Sequence, residues 1–236
     1  MQGSIASHER LEWLEQELTA SGSVTLADAA RELGVSEMTI RRDLTELEGR
    51  GAAKRIRGGA KAVGPRTFSQ RHAAHSRAKA TIASKLAAMV PAAGTVAFDA
   101  SSTVMRLAGR LGHVRDLTVL TNGPDTFAAL QGDPGAQPLL TGGQLDARTG
   151  SLVGPLACRT ADQLVLDQFF TSAAALDVAL GASEATLDEA EVKRHLAAAA
   201  RVVILAVDAS KLDARATATS FDWSRIDVVV TELDPA

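Results

Sequence analysis

The sequence predicts a two-part chain: a small winged helix-turn-helix domain, then a larger, mostly parallel, doubly wound α/β domain. Three observations carry this. A capped amphipathic helix over residues 36–47 follows another helix across a glycine turn. A basic, acid-free stretch comes next. From residue 75 onward, short apolar runs alternate with helix-like runs, the pattern of a parallel sheet with helices on both faces.

Taken in order, Ser7 precedes a helical pattern in which Leu11, Leu14 and Leu18 share a face, and Ser21, Gly22 and Ser23 end it. Val24 and Thr25 read as a short extended piece. Thr25 caps a second helix with Leu26, Ala29, Ala30 and Leu33 inward and Asp28 near its positive end. Gly34 supplies the left-handed residue that closes it. Ser36 then caps a third helix. Ile40, Leu44 and Leu47 form its apolar stripe, while Met38, Arg41, Arg42 and Thr45 fall away from it. An outward guanidinium suits a guanine edge or a phosphate. By itself the helix reads equally well as a surface helix with solvated arginines. Its place after a helix and a glycine turn favours a helix that reads DNA.

Residues 52–60 predict a β-hairpin wing that exposes Lys54, Arg55 and Arg57 toward phosphates, with Gly58 and Gly59 also fit to serve as a flexible joint. Between Glu48 and Asp99 there is no Asp or Glu, whereas Arg50, Lys54, Arg55, Arg57, Lys61, Arg66, Arg71, Arg77, Lys79 and Lys85 fall there. Such a block is the footprint expected beside a phosphate backbone. Its far end, Arg77 to Lys85, reads as a solvated helix face. The local charge matters because the whole chain of 236 residues carries a formal net charge of −3. Cys158 is the single cysteine, which excludes an internal disulfide and a cysteine-based zinc cluster. No signal peptide or membrane span is expected, nor any metal or cofactor, and a cytoplasmic setting fits.

Residues 1–60 read as the first domain, 61–74 as a linker around Gly64 and Pro65, and 75–236 as the second domain. In the latter, residues 75–90 predict a helix with Ile82, Leu86 and Met89 on one face. Strands are expected at 95–98, 117–120, 138–140, 165–170, 201–207 and 227–231. Helices are expected from Ser101 onward, at 124–130 and at 187–200. The strands end in polar or glycine residues: Asp99, Asn122, Gly142 with Gly143, Ser172 and Asp208. In open α/β sheets the ligand crevice lies beyond those ends. Ser101, Ser102 and Thr103 stand where a helix begins, so they serve either as caps or as an anion site. Asp208 and Lys211 read as a pair for sugar hydroxyls and phosphate, or as a turn with a surface lysine. Glu189 and Lys193, four apart, read as a surface ion pair of about 0.3–0.5 kcal/mol or as groups reaching the crevice.

The stretch from Val35 to Leu44, with Leu47-Glu48 and Arg57-Gly58-Gly59-Ala60, resembles the N-terminal domain of DeoR-type bacterial transcriptional regulators. The resemblance implies a winged helix-turn-helix on double-stranded operator DNA, with Ser36, Thr39, Arg41 and Arg42 at the groove and Arg57 in the wing. It continues more loosely through Asp99 to Thr103, Asn122, Gly142-Gly143, Phe170 to Leu176, Glu189 to Lys193 and Asp208 to Lys211. This part is similar to the effector domain of the same regulators, whose fold is similar to ribose-5-phosphate isomerase. That implies a sensor for a phosphorylated sugar in a homodimer or homotetramer, acting as a repressor of a carbohydrate operon. Ser101 and Ala175 stand where the family usually carries glycine. Two alternatives remain at this point: a sugar-phosphate isomerase carrying a DNA-binding domain, and a regulator without a ligand.

Overall fold

The computed structural model describes residues 2–63 and 68–234, and divides into two units, residues 1–71 and 72–236. The first unit runs α1 (Gln2–Ser21), β1 (Ser23–Thr25), α2 (Leu26–Leu33), α3 (Glu37–Gly49), β2 (Ala53–Ile56) and β3 (Gly59–Ala62). The first helix starts well before Ser7, which lies inside it rather than capping it. Leu11, Leu14 and Leu18 still face inward, against Leu26, Ala29, Ile40, Leu44 and Leu47. Gly34 closes α2 at φ 63°, its N–H donating to Ala30 O.

The wing is larger than the predicted hairpin. Its second strand continues through Lys61 and Ala62, residues read as linker, because both pair with β2 and Lys61 also pairs with Ser23 of β1. The sheet order is β1-β3-β2, so the wing is fastened to the domain through β1. Gly59 makes that approach possible. A Cβ there would stand 2.0 Å from Val24 O. Gly59→Ala is expected to push β1 off the wing and cost about 1–3 kcal/mol or more, read by chemical denaturation of the full chain. A change below about 0.5 kcal/mol would mean that the strands part without cost.

The proposed joint at Gly64 and Pro65, with Arg66, lies outside the described residues. A short helix, α4 (Phe68–Ala73), occupies part of the stretch read as linker and spans the division between the units. Its Gln70 is buried and donates to Leu18 O at 2.8 Å.

The second unit begins with α5 (Ser76–Ala87), then β4 (Ala93–Phe98), α6 (Ser102–Ala108), β5 (Asp116–Thr121), α7 (Pro124–Leu130) and β6 (Ala136–Leu140). Two short strands, β7 (Gln144–Asp146) and β8 (Ser151–Val153), form a hairpin before α8 (Pro155–Asp162) and β9 (Leu166–Thr171). Next come β10 (Ala175–Asp177), β11 (Gly181–Glu184), α9 (Leu187–Ala199), β12 (Ala200–Ala206), β13 (Ala218–Phe221) and β14 (Val228–Val230). Helix α5 ends before Met89, which packs only partly buried, and Val165 is exposed outside β9. The basic residues of α5 are not all solvated as expected. Lys79 is buried, and Lys85 Nζ donates to Thr231 O at 3.0 Å and Leu233 O at 2.9 Å, fastening the C-terminal segment.

The main sheet has six parallel strands in the order β14-β12-β9-β4-β5-β6. Alternate residues feed two cores. Val96, Phe98, Phe170 and Ile204 pack with Ile82 of α5 and Leu107 of α6. Ala97, Phe169, Val203 and Leu205 pack on the other face with Ala157 of α8 and Val192 of α9. The inner strands are therefore buried on both faces, which is why they read as apolar runs, whereas the edge strands β6 and β14 leave Leu139, Leu140 and Val229 exposed. The chain winds outward through β4, β5 and β6, then returns to the other side of β4 as β9. The topological switch point thus lies between β4 and β9, at the carboxyl ends where open α/β sheets bind their ligands. A second, antiparallel sheet, β10-β11-β13, was not visible in the sequence pattern and brings β11 toward this region.

Candidate functional site

In the first unit, Ser36 caps α3 by accepting from Thr39 N at 3.2 Å, and the two hydroxyls lie 2.9 Å apart. Ser36 and Thr39 therefore also organise the first turn of the helix. Met38, Arg41 and Arg42 project from it, Met38 with 68% of its surface exposed. Asp43, beside the two arginines, turns inward. It is buried and takes a two-point contact from Arg10 of α1, Nε to Oδ2 at 2.8 Å and Nη2 to Oδ1 at 3.2 Å. This pair, together with the Ile40, Leu44 and Leu47 stripe, fixes the rotation of α3 and hence which residues face outward.

Lys54, Arg55 and Arg57 are exposed on the wing. Arg55 is braced rather than loose: its N–H donates to Glu48 Oε1 at 2.9 Å and its guanidinium to Thr45 Oγ1 at 3.0 Å. Arg41, Arg55 and Arg57 line a depression of about 240 Å³ between α3 and the wing. The helix and wing thus present one continuous basic surface.

In the second unit the switch point holds a buried charge cluster. Asp99 accepts from Ser101 N at 2.9 Å on Oδ1, and from Thr171 Oγ1 at 2.8 Å and Ser172 N at 2.9 Å on Oδ2. Lys193 Nζ stands 3.1 Å from Asp99 Oδ2 and 3.0 Å from Glu184 Oε1, and donates to Ser172 O at 2.8 Å. All three charged side chains are almost wholly buried. Of the two readings of Glu189 and Lys193, the surface ion pair is not what forms. Lys193 turns to Asp99 and Glu184 because β4 and β11 bring carboxylates under α9, while Glu189 accepts from Ser151 Oγ at 3.4 Å.

The cluster shifts its own titrations. Burial raises the Asp99 carboxyl, but Lys193 and the Ser101 and Ser172 groups outweigh it and hold Asp99 below its usual range. Burial lowers Lys193, and the charges of Glu184, Asp99 and Glu189 more than reverse that. For Glu184 burial wins: despite Lys193, its carboxyl is pushed up to about 7. The folded state therefore holds a proton on Glu184 that the unfolded chain releases near its ordinary pKa. Stability from this group is present below that value and is lost as pH rises through about 7. Asp99, moved down, and Lys193, moved up, titrate outside the interval from pH 5 to 8. Thermal melts should show the second unit weakening from pH 5 to 8, and Glu184→Gln should flatten the trend. An unchanged slope in that variant would exclude Glu184 as its source.

The other expected residues fall into place less uniformly. Ser101 takes extended backbone and spends its hydroxyl as the cap of α6, accepting from Val104 N at 3.2 Å. The position usually held by glycine thus carries a capping side chain without strain. Ala175 lies buried in β10, paired with Ser183. Ser102 and Thr103 are buried at the start of α6, and their hydroxyls make no hydrogen bond among the described residues. Asn122 donates from Nδ2 to Leu152 O at 3.2 Å, and its buried Oδ1 has no partner among the described residues. Gly142 and Gly143, at φ 71° and 115°, turn the chain from β6 into β7, and a Cβ on Gly143 would stand 2.6 Å from Val153 O. Asp208 is buried and caps a short 3-10 turn, Ala209–Lys211, accepting from Ser210 N at 3.1 Å. No hydrogen bond among the described residues joins Asp208 to the Asp99, Glu184 and Lys193 cluster.

Glu184 is the principal residue that the sequence reading missed. Two neighbouring signals pointed at its surroundings: Gly181, held at φ 81°, and the pattern Thr186-x-x-Glu189, a capping box whose Thr186 Oγ1 accepts from Glu189 N at 3.2 Å.

Comparison with known proteins agrees with this two-part organisation. Residues 10–66 match the DeoR-like helix-turn-helix domain, and residues 74–233 match the DeoR C terminal sensor domain. The chain is 34% identical over 235 residues to the deoxyribose operon repressor of Escherichia coli K12, covering 96% of this chain and 91% of that one. It is 32% identical over 228 residues to the uncharacterized HTH-type transcriptional regulator YgbI of the same organism, covering 95% and 89%. Among solved structures it is similar to ribose 5-phosphate isomerase from Plasmodium falciparum, at 17% identity and TM-score 0.41, over 57% of this chain and 52% of that one. A helix-turn-helix unit followed by a sensor domain defines a ligand-responsive transcriptional regulator. The chain belongs to the DeoR family of DNA-binding transcriptional regulators.

Proposed function

We propose that this regulator represses a carbohydrate catabolic operon, and that a phosphorylated sugar or related metabolite sets its affinity for operator DNA. Relatives similar over most of their length include a deoxyribose operon repressor and a putative aga operon transcriptional repressor. The observation that carries the reading is the pairing of an arginine-bearing helix, braced by Arg10 and the wing, with a polar crevice at a sheet switch point. Ser36, Met38, Thr39, Arg41 and Arg42 face the groove, and Lys54, Arg55 and Arg57 meet phosphates. In the crevice, Ser102 and Thr103 offer hydroxyls to the phosphate. Glu189 and Asn122 offer acceptors to the sugar, while Asp99, Ser172 and Lys193 hold the crevice floor. Gly142 and Gly143 shape its rim, and Asp208 with Lys211 lies at the neighbouring strand end.

The protein acts in the cytoplasm as a homodimer or homotetramer that places two reading helices on one operator. It senses its ligand without converting it. Ligand control requires unequal affinity for the DNA-competent and DNA-released states. Thermal denaturation with pentose and hexose phosphates, paired with a turnover assay on the same compounds, tests this. A cognate effector at 100 times its Kd should stabilise the protein by about 2.7 kcal/mol and emerge unchanged. Steady isomerisation would replace the sensor reading with an enzymatic one.

A further inference from the structure

The ammonium of Lys193 has three N–H donors, and three acceptors surround it: Asp99 Oδ2, Glu184 Oε1 and Ser172 O, at 3.1, 3.0 and 2.8 Å. No donor is left for an incoming anion. The carboxylates around it are not saturated in the same way. Glu184 Oε1 receives Lys193 and, at 3.4 Å, the Ser220 hydroxyl, while Oε2 accepts no hydrogen bond among the described residues. Glu189 Oε1 receives the Ser151 hydroxyl, and its Oε2 likewise accepts none. Both side chains are at least nine-tenths buried, and their charges act on each other. Independently, Asn122 Oδ1 is buried without a partner among the described residues, on a side chain that holds Leu152, the neighbour of Ser151. This part of the switch point therefore offers acceptors and negative charge, its one ammonium already used and the Arg148 guanidinium, whose charge reaches Glu189, paired with Asp146 at 3.0 Å.

We propose that Glu184 is a specificity-determining residue of the sensor crevice, accepting hydrogen bonds from a donor-bearing, non-anionic end of the effector and turning away a carboxylate or phosphate at that end. The proposal rests on the crevice being the effector site. It assigns the ligand a polarity: the anionic group lies away from Lys193, and an ammonium or hydroxyl end lies against Glu184 and Glu189. A buried acceptor left unmatched discriminates strongly, because a wrong ligand leaves it unpaired or opposed by like charge.

Three six-carbon 6-phosphates separate the outcomes, since they share the phosphate and differ at C1 or C2, the far end of the molecule. Glucosamine 6-phosphate carries an ammonium, glucose 6-phosphate only hydroxyls, and 6-phosphogluconate a carboxylate. Titration calorimetry on the full chain is expected to find 6-phosphogluconate at least tenfold weaker than the better of the other two. The stronger of those two shows whether ammonium or hydroxyl is preferred. Glu184→Gln keeps the shape and removes the charge that the carboxyl carries above about pH 7. It is expected to narrow the gap at least fivefold, by loosening the preferred compound and relieving the carboxylate. The wild-type series stands even if that variant folds poorly. Tightest binding by 6-phosphogluconate, or equal binding by all three, would overturn the role of Glu184 and leave the sugar-phosphate reading intact. Failure of these three and of the pentose phosphates alike to bind at millimolar concentration would overturn both.

Discussion

Replacing Lys193 with methionine is expected to destabilise the second unit by about 3–5 kcal/mol at pH 7, the cost of leaving buried charge uncompensated. The side chain is 7% exposed and faces two carboxylates that are 0% and 4% exposed. Methionine fills the volume and removes the charge, so packing loss is small and the effect reports electrostatics. Glu184 can take up a proton near neutrality, whereas Asp99, which loses in Lys193 the group that does most to lower it, keeps only the Ser101 and Ser172 amides and the Thr171 hydroxyl as donors to its charge. Urea unfolding of the Lys193→Met chain across pH 5 to 8 should therefore show a large loss that persists at the lower end. A loss below about 1 kcal/mol would mean that the cluster holds no uncompensated charge once the ammonium is gone.

The second large effect is expected on DNA. Arg42→Ala should weaken specific operator binding by about 5- to 150-fold, corresponding to about 1–3 kcal/mol for a base contact, with the melting temperature unchanged. Arg42 is exposed and has no role in the Ile40, Leu44 and Leu47 core. Arg57→Ala, at the wing turn, should lower affinity for all sequences alike and reduce the salt dependence by about one ion. Fluorescence anisotropy with specific and scrambled duplexes separates the two. Equal loss on both duplexes for Arg42→Ala would make it a phosphate contact rather than a reader of bases.

The features legible in the sequence were those set by neighbours in the chain. Thr25, Gly34 and Ser36 each act within three or four residues, and each does in the structure what its position announced. The long apolar runs of β4, β9 and β12 were visible because both faces are buried. What stayed hidden depends on partners far away in sequence. Asp43 reads as a surface acid until Arg10, on another helix, folds onto it. Lys193 reads as the partner of Glu189 on its own helix, until Asp99 and Glu184 arrive from β4 and β11. The strands β7, β8, β10, β11 and β13 are three or four residues long, too short for a period-two pattern to stand out. The polar strand ends at Asp99 and Ser172 could be picked out, but the charge cluster they join could not, because its second carboxylate, Glu184, lies on one of those short strands.

Operator binding and control by a phosphorylated ligand are both tested by binding of the purified chain to the DNA upstream of its own gene, with and without pentose and hexose phosphates. Specific binding at physiological salt is expected, with a shift of at least tenfold in affinity on adding one compound, reproduced by no unphosphorylated sugar. Specific binding that ignores every phosphate would contradict the assigned effector class. Absence of specific binding would contradict the reading of α3 and its wing as a DNA-recognition surface.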